Sequence, residues 1–429
     1  MRRIGFSILM RTKFKNKFLL LDWVPRDAWL IMVARGSRVL GQSSIAVLLG
    51  IYLNSLGFNL MQIGSFISVG LAGGAVFSLV VALFSNIIGR RKLLTIFAVA
   101  TGISGLLLTT TDNYLLLITI AFLGSFSMAG PASGPIQPLE QASLSQTIDS
   151  NRRTDLFALY GILSSGATAI GTLASGLPVI FQTSLGIHEA TSFRLMFFGF
   201  AICSIFAGLM YSLLSSDVEI SSGSKRWSNP LTLPSKKMIF TLAGLFSLDS
   251  AATRLIVQSL VALWFYSKFD IELSSVAVIF FGSHLASATS LWVAAKLANR
   301  IGLLNTMVFT HIPAVAILFI VPMLSSASLA AILWLIRGFF SLMDVPTKQS
   351  YTMAIVSPEE RSAMAGLQGV GQNLAGTISP FLATFLWSTF AAWVPFFFSG
   401  TLKALYLSSL YFQFRKVPTP EEANRSRSN

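Results

Sequence analysis

The sequence predicts an all-α membrane protein of twelve transmembrane helices, in two pseudo-symmetric six-helix bundles with both termini cytoplasmic. Three observations carry that prediction. Hydrophobic residues make up 53% of the 429 residues and charged residues only 11%, against about 25% charged in an average soluble protein. A mean hydropathy of +0.70 at this length requires repeated spans, since each takes about 20 apolar residues. Next, a polar loop recurs half a chain apart. Residues 82–94 read A-L-F-S-N-I-I-G-R-R-K-L-L and residues 295–307 read A-K-L-A-N-R-I-G-L-L-N-T-M, so Asn86 pairs with Asn299 and Gly89 with Gly302. Last, the basic residues gather in alternate loops, as the positive-inside rule requires of a multispanning chain.

Residues 1–27 form a basic arm with Arg2, Arg3, Arg11, Lys13, Lys15, Lys17 and Arg26. It reads as a cytoplasmic segment that either touches anionic lipid headgroups or acts as a disordered topology signal. Its apolar piece, 4–10, is too short for a secretory signal. The first bundle occupies 28–214, with helices expected at 28–54, 61–84, 93–110, 114–148, 154–180 and 194–214. The fourth is long for one span. Gly130, Pro131, Gly134, Pro135 and Pro138 should kink it, with neighbouring helices meeting the freed carbonyls. In the fifth, Gly161, Gly166, Gly171 and Gly176 recur at an interval that is not a helical face spacing, so a bendable helix is expected rather than a small-residue seam. The polar stretch 215–237 reads as a mobile cytoplasmic linker. The second bundle occupies 238–414, with helices expected at 238–266, 274–297, 303–324, 328–356, 362–388 and 391–414. Residues 415–429 form a polar cytoplasmic tail.

Sidedness follows from the loop bases. With the N-terminus inside, the arm, the linker, the tail and the loops after helices 2, 4, 8 and 10 hold them, and only Arg194 and Lys268 fall on the other side. The net charge of +14 therefore does not imply a nucleic-acid partner. A second repeat supports the first. Pro138, Glu140, Gln141 and Arg153 match Pro346, Lys348, Gln349 and Arg361 in one register.

The repeated loop resembles the segment between helices 2 and 3 of the major facilitator superfamily, whose pattern is roughly G-x-L-A-D-R-x-G-R-R-x-x-L. Gly89, Arg90, Arg91 and Leu94 match it; Asn86 stands where the family has Asp, Ala82 replaces the first Gly and Ile87 the usual base. The second copy keeps Leu297, Ala298, Asn299, Arg300 and Gly302. The resemblance covers nearly the whole chain. It implies that helices 1, 4, 7 and 10 line a central cavity, and that Asn86, Gly89, Arg90, Arg91, Asn299, Arg300 and Gly302 form a gating loop pair. Arg90 and Arg91 are expected to reach the facing half or helix C-termini, where positive charge is favoured.

A charge inside hydrocarbon costs about 2.5–3.5 kcal/mol on insertion scales, so those present should face a cavity or a partner. They are Arg35 and Arg38 in helix 1, Glu140 in helix 4, Asp249 and Arg254 in helix 7, Arg337, Asp344 and Lys348 in helix 10, and Lys403 in helix 12. At 1.5 Å per residue, Arg38, Glu140 and Asp249 lie roughly 12–16 Å into their helices, near the depth at which secondary transporters bind substrate. The candidate substrate and coupling cavity comprises Arg38, Gln42, Glu140, Gln141, Asp249, Arg254, Gln258, Asp344, Lys348 and Gln349. Pseudo-symmetry sets Arg38 against Glu140 and Asp249 against Lys348, with polarity swapped. Glu140 is either a static partner of Arg38 or a titrating acid, and Asp249 is the preferred proton carrier. Arg35 and Lys403 read as snorkelling or packing residues, His284 and His311 as packing rather than proton shuttles, and Trp264, Phe265 and Tyr266 as an interfacial belt. Cys203, the lone cysteine, reads as packing and excludes a cysteine metal cluster.

No metalloprotease, phosphate-loop or nucleophile-elbow motif is present, so no enzyme is expected. The reading is a secondary transporter that moves a small solute across the cytoplasmic membrane by alternating access. It is proton-coupled, needs no cofactor beyond an ion gradient, and works as a monomer in the bilayer. Efflux is preferred, although Gly176-Leu177-Pro178 stands where efflux members of the family carry adjacent Gly and Pro. The alternatives are an uptake symporter or uniporter of an anionic metabolite and, from another class, a transporter-fold sensor or lipid scramblase.

Overall fold

The structure, a computed structural model, describes residues 23–124, 134–148, 152–219, 234–356 and 360–415. Most of the arm, the middle of the linker, Gly130, Pro131 and all but the first residue of the tail lie outside them. The described residues are helical and carry no strand. In the first half the helices are α1 (Arg26–Ser55), α2 (Leu60–Ile88), α3 (Arg90–Leu107), α4 (Tyr114–Leu123), α5 (Ile136–Leu144), α6 (Arg153–Ala174), α7 (Leu177–Leu185) and α8 (Glu189–Ser212). In the second they are α9 (Lys236–Leu255), α10 (Gln258–Phe269), α11 (Leu273–Ile301), α12 (Leu303–Phe309), α13 (His311–Ile320), α14 (Ala327–Ser341), α15 (Asp344–Ile355), α16 (Arg361–Thr377), α17 (Ser379–Thr389) and α18 (Val394–Phe414). Among the described residues, six stretches are long and apolar enough to cross a membrane: Leu60–Val81, Asp155–Leu185, Glu189–Ser212, Lys236–Phe269, Leu273–Ala298 and Leu303–Met323.

Several helices expected to be continuous are broken, and the chemistry of the breaks differs. Pro178 and Pro380 stand in the first turns of α7 and α17, where a missing N–H costs nothing. Pro346 cannot donate to the carbonyl of residue 342, and α14 ends at that level. Gly134, with φ +100°, stands just before Pro135, the N-cap of α5. The break between α9 and α10 contains neither Gly nor Pro; Ile256 and Val257 leave the helical region there, which no sequence signal announced.

The loop repeat reappears as repeated backbone. Gly89 has φ +95° and ψ 138°, and Gly302 has φ +88° and ψ 165°. Both end one helix and start the next in a conformation that side chains with a Cβ rarely adopt. The expected linker is anchored at both ends. Val218 is fully buried with the first half, and Glu360 accepts a hydrogen bond from Ser235 N–H at 2.9 Å.

The buried apolar residues fall into three cores. One draws on both halves: Ile45–Leu53 of α1, Phe66 of α2 and Phe197 of α8 meet Leu255–Phe265, Phe280, Trp334 and Phe396. The other two each belong to a single half. One holds Val24–Ala34, Leu139, Leu156 and Tyr211; the other holds Ile239–Phe246, Met307, Tyr351 and Leu410. The halves are thus sealed together at one end and packed separately at the other. At the sealed end Ser68 Oγ accepts the Phe381 N–H at 3.0 Å. A side chain at Gly50 would meet the Ser259 carbonyl oxygen at 2.6 Å, so glycine is what allows α1 and α10 to touch. Trp264 and Phe265, expected at a membrane interface, lie in this shared core at 1% and 0% exposure, because they face Phe396 and Trp334 across the bundle.

Candidate functional site

Both charge clusters sit between the shared core and the separate ones. On α1, Arg35 and Arg38 follow Ala34 of the first-half core and precede Ile45 of the shared core. On α9, Asp249 lies between Phe246 and Leu255 in the same way.

In the first half everything converges on Glu140, which is fully buried. Arg35 Nη1 donates to its Oε2 at 2.9 Å, and Arg38 Nη2 to both oxygens at 3.3 Å. Tyr160 donates to Oε2 at 2.6 Å, and Tyr211 donates to Oε1. Arg35 is itself fixed by Ser164 Oγ at 3.0 and 3.2 Å and stacks 4.8 Å over the Tyr160 ring. Arg38 Nη1 reaches Gln42 at 3.5 Å. Two cations and two hydroxyls on one carboxylate leave it no spare lone pair, which is what a buried ion needs to offset its desolvation.

In the second half the arrangement is shared rather than convergent. Lys348 Nζ lies 2.7 Å from Asp249 Oδ2 and 3.1 Å from Asp344 Oδ2, and Lys403 Nζ lies 2.8 Å from Asp249 Oδ1. His311 Nδ1 stands 3.9 Å from Asp344 Oδ1, too far for a hydrogen bond. Lys348 also passes 5.1 Å from the Phe246 ring and 5.6 Å from the Tyr406 ring. One lysine thus serves two carboxylates.

The structure brings Arg38 to Glu140 and Lys348 to Asp249. It departs from the sequence reading for two bases. Arg35 does not snorkel: α1 begins at Arg26, so Arg35 lies about 14 Å inside it. It shares a face with Arg38 three residues on, and that spacing was the available signal. Lys403 is 5% exposed, and a buried ammonium requires a partner, which Asp249 supplies. Tyr160, Tyr211 and Ser164 escaped notice because nothing in their neighbourhoods sets them apart from ordinary core residues. Gln141 is half-buried and Gln349 exposed; neither belongs to the groups that hold the carboxylates. Arg254 lies against Asn373, with Nη2 3.2 Å from Oδ1, and Arg337 stacks 4.4 Å over Trp334.

At the loop, Arg90 Nη1 donates to the Ala142 carbonyl at 3.0 Å, near the C-terminal end of α5. Glu219 accepts the backbone N–H of Arg90 at 2.8 Å and of Arg91 at 3.2 Å, capping the start of α3. One contact stays within the first half and the other reaches the start of the linker; neither reaches the second half. A side chain at Gly89 would meet Glu219 Oε1 at 2.9 Å. Arg91 and Arg300 are exposed, and the described part of Asn86 and Asn299 is their helical backbone.

A sequence profile described as Major Facilitator Superfamily matches residues 31–343 and 244–429. The chain belongs to the major facilitator superfamily. It is a multi-pass membrane protein with the fold of a transporter family, not an enzyme. Along its length it is similar to the uncharacterized membrane protein YJR124C of Saccharomyces cerevisiae, 21% identical over 90% of this chain and 93% of that one. Its fold is that of a bacterial homologue of the human lysosomal transporter Spinster, inward-facing and unoccupied, at a TM-score of 0.74 and 11% identity over 92% of this chain and 97% of the other. It is also that of the nucleoside transporter NupG, at 0.74 and 12% over 91% and 100%. The human organic anion transporter MFSD10 aligns at 0.60 and 14% over 90% and 100%.

Proposed function

We propose that this superfamily member is a secondary active transporter that moves a small solute by alternating access, driven by protons. The observation that carries the reading is the seal at one end only. One apolar core unites the halves, two cores separate them at the far end, and each half sets a buried charge cluster between. A site at that level opens to one side and closes to the other when the halves rock. The reading completes the fold as twelve spans in bundles 28–214 and 238–414, with both termini cytoplasmic. Loop bases support that orientation, in which the separated end faces inside.

The proposal extends to a monomer in the cytoplasmic membrane with no cofactor, preferring efflux by antiport. Uptake of an anion remains the second reading, favoured by the charge balance. Six intramembrane cations face three acids, and Arg254 and Arg337 form no ion pair with a described carboxylate. In a low-dielectric site such a surplus favours an anion or zwitterion over a cation.

The test is the purified full chain in proteoliposomes holding a pH-sensitive dye. Applying a metabolite and drug panel should identify a solute whose gradient moves protons. Absence of any solute movement, with fluorescent lipid flipping between leaflets, would establish the scramblase instead.

A further inference from the structure

Helix 7 is broken where nothing in its sequence forces a break. α9 ends at Leu255, Ile256 adopts φ −115° and ψ 48°, and α10 starts afresh at Gln258. A break inside a membrane frees backbone groups and is tolerated only where protein buries it or it lines a cavity; Ile256 and Val257 are buried at 7% and 4% exposure. Here a 12-residue helix starts afresh at Gln258; the Leu260 and Val261 N–H groups bond the Val257 carbonyl at 3.0 and 3.1 Å, and those of Gln258 and Ser259 precede the first intrahelical bond, where partial positive charge accumulates.

Three side chains within six residues of this break are also donors without an acidic partner. Arg254 bonds only the neutral amide of Asn373 among the described residues. Among the described residues, Gln258 Nε2 is buried with no hydrogen-bond partner, and so is Ser259 Oγ, on a residue with 0% exposure. Four of the other intramembrane cations are satisfied by carboxylates, Arg35 and Arg38 on Glu140 and Lys348 and Lys403 on Asp249, whereas Arg337 stacks over Trp334. A guanidinium, an amide N–H and a hydroxyl within six residues of one another, flanking a helix N-terminus, are donors without an acidic acceptor.

We infer that the break between α9 and α10 is an oxyanion-binding site, taking a carboxylate or phosphate group of the transported solute through Arg254, Gln258 and the N-terminus of α10. The inference deepens the transport reading by giving the solute a charge and a docking point. The position suits that role. Leu255, Ile256 and Leu260 belong to the core that seals the halves, and the Ser259 carbonyl rests on Gly50 of α1. An anion held there touches the floor of the seal, so its arrival bears on whether that end opens. Asn373 on α16 holds the guanidinium in place, which makes it a positioning residue.

The experiment uses the full chain in detergent and measures thermal unfolding and titration calorimetry with succinate, inorganic phosphate and choline. The native protein should bind at least one of the two oxyanions saturably and leave choline unbound; the one that binds decides between carboxylate and phosphate. Arg254→Gln should weaken that binding at least tenfold, Arg254→Lys less, and Gln258→Leu two- to fivefold, while Arg415→Ala should leave it unchanged. Should Arg254→Gln fail to fold, Arg254→Lys and Gln258→Leu carry the same test. Equal oxyanion affinity in native and variant proteins, or binding of neither oxyanion, overturns the site. The two readings fail separately. Arg254-dependent binding in a chain that moves no solute would defeat transport and keep the site. Solute transport unchanged in Arg254→Gln would keep transport and defeat the site.

Discussion

The two halves carry the same device built in opposite ways. In the first, one carboxylate, Glu140, gathers Arg35, Arg38, Tyr160 and Tyr211. In the second, one ammonium, Lys348, is divided between Asp249 and Asp344, with Lys403 on the far side of Asp249 and His311 at 3.9 Å from Asp344. Glu140 and Lys348 occupy equivalent positions of the repeat, so the polarity is exchanged along with the style of bonding. A saturated acceptor has no alternative partner to move to. A shared donor has two, and a proton arriving on either carboxylate changes which one it prefers. Under the transport reading proposed above, the first cluster serves structure and the second serves coupling, as two states of one shared contact.

The largest effect should come from breaking the saturated side. Glu140→Gln leaves two guanidinium groups buried without a counter-charge. It should cost about 3–5 kcal/mol and appear as a large drop in melting temperature in detergent. A change no larger than that of Asp344→Asn would erase the contrast between the halves.

Exchanging charge on the shared side should cost less and show coupling. Asp249→Lys and Lys348→Asp should each lower stability, and the double variant should recover about 0.5–3 kcal/mol of their summed cost. Recovery stays incomplete, because Lys403 and Asp344 would then each face a like charge. Strict additivity, measured by the same unfolding curves, would show that the two positions do not act on each other.

The smallest effect belongs to the loop. Arg90→Ala removes one hydrogen bond to the Ala142 carbonyl, worth about 1 kcal/mol. It should slow transport while leaving membrane insertion intact. Full transport in that variant would confine Arg90 to a structural role.

The fold was legible in the sequence because its signals are long and repeated. The paired glycines 89 and 302 marked the same turn twice, and they adopt the same backbone conformation. Glu140 and Lys348 were legible as charges that hydrocarbon does not tolerate alone. What was not legible depended on distances across the bundle. Tyr160 and Tyr211 look like any core tyrosine until Glu140 lies beneath them, and Lys403 shows no pattern in its own helix. The break at Ile256–Val257 carried no Gly or Pro, so apolar periodicity ran through it unmarked. Glu219 looked like part of a free linker, and only its contact with the N–H groups of Arg90 and Arg91 makes it a helix cap.

The division of labour between the halves is tested most directly by Asp249→Asn in proteoliposomes, comparing solute accumulation under an imposed pH gradient with solute exchange at equal pH. The account predicts that proton-driven accumulation is abolished while exchange continues, since the path survives and the shared contact no longer takes up a proton. Accumulation at the native rate would contradict it, leaving Asp249 as a structural partner of Lys348 and Lys403.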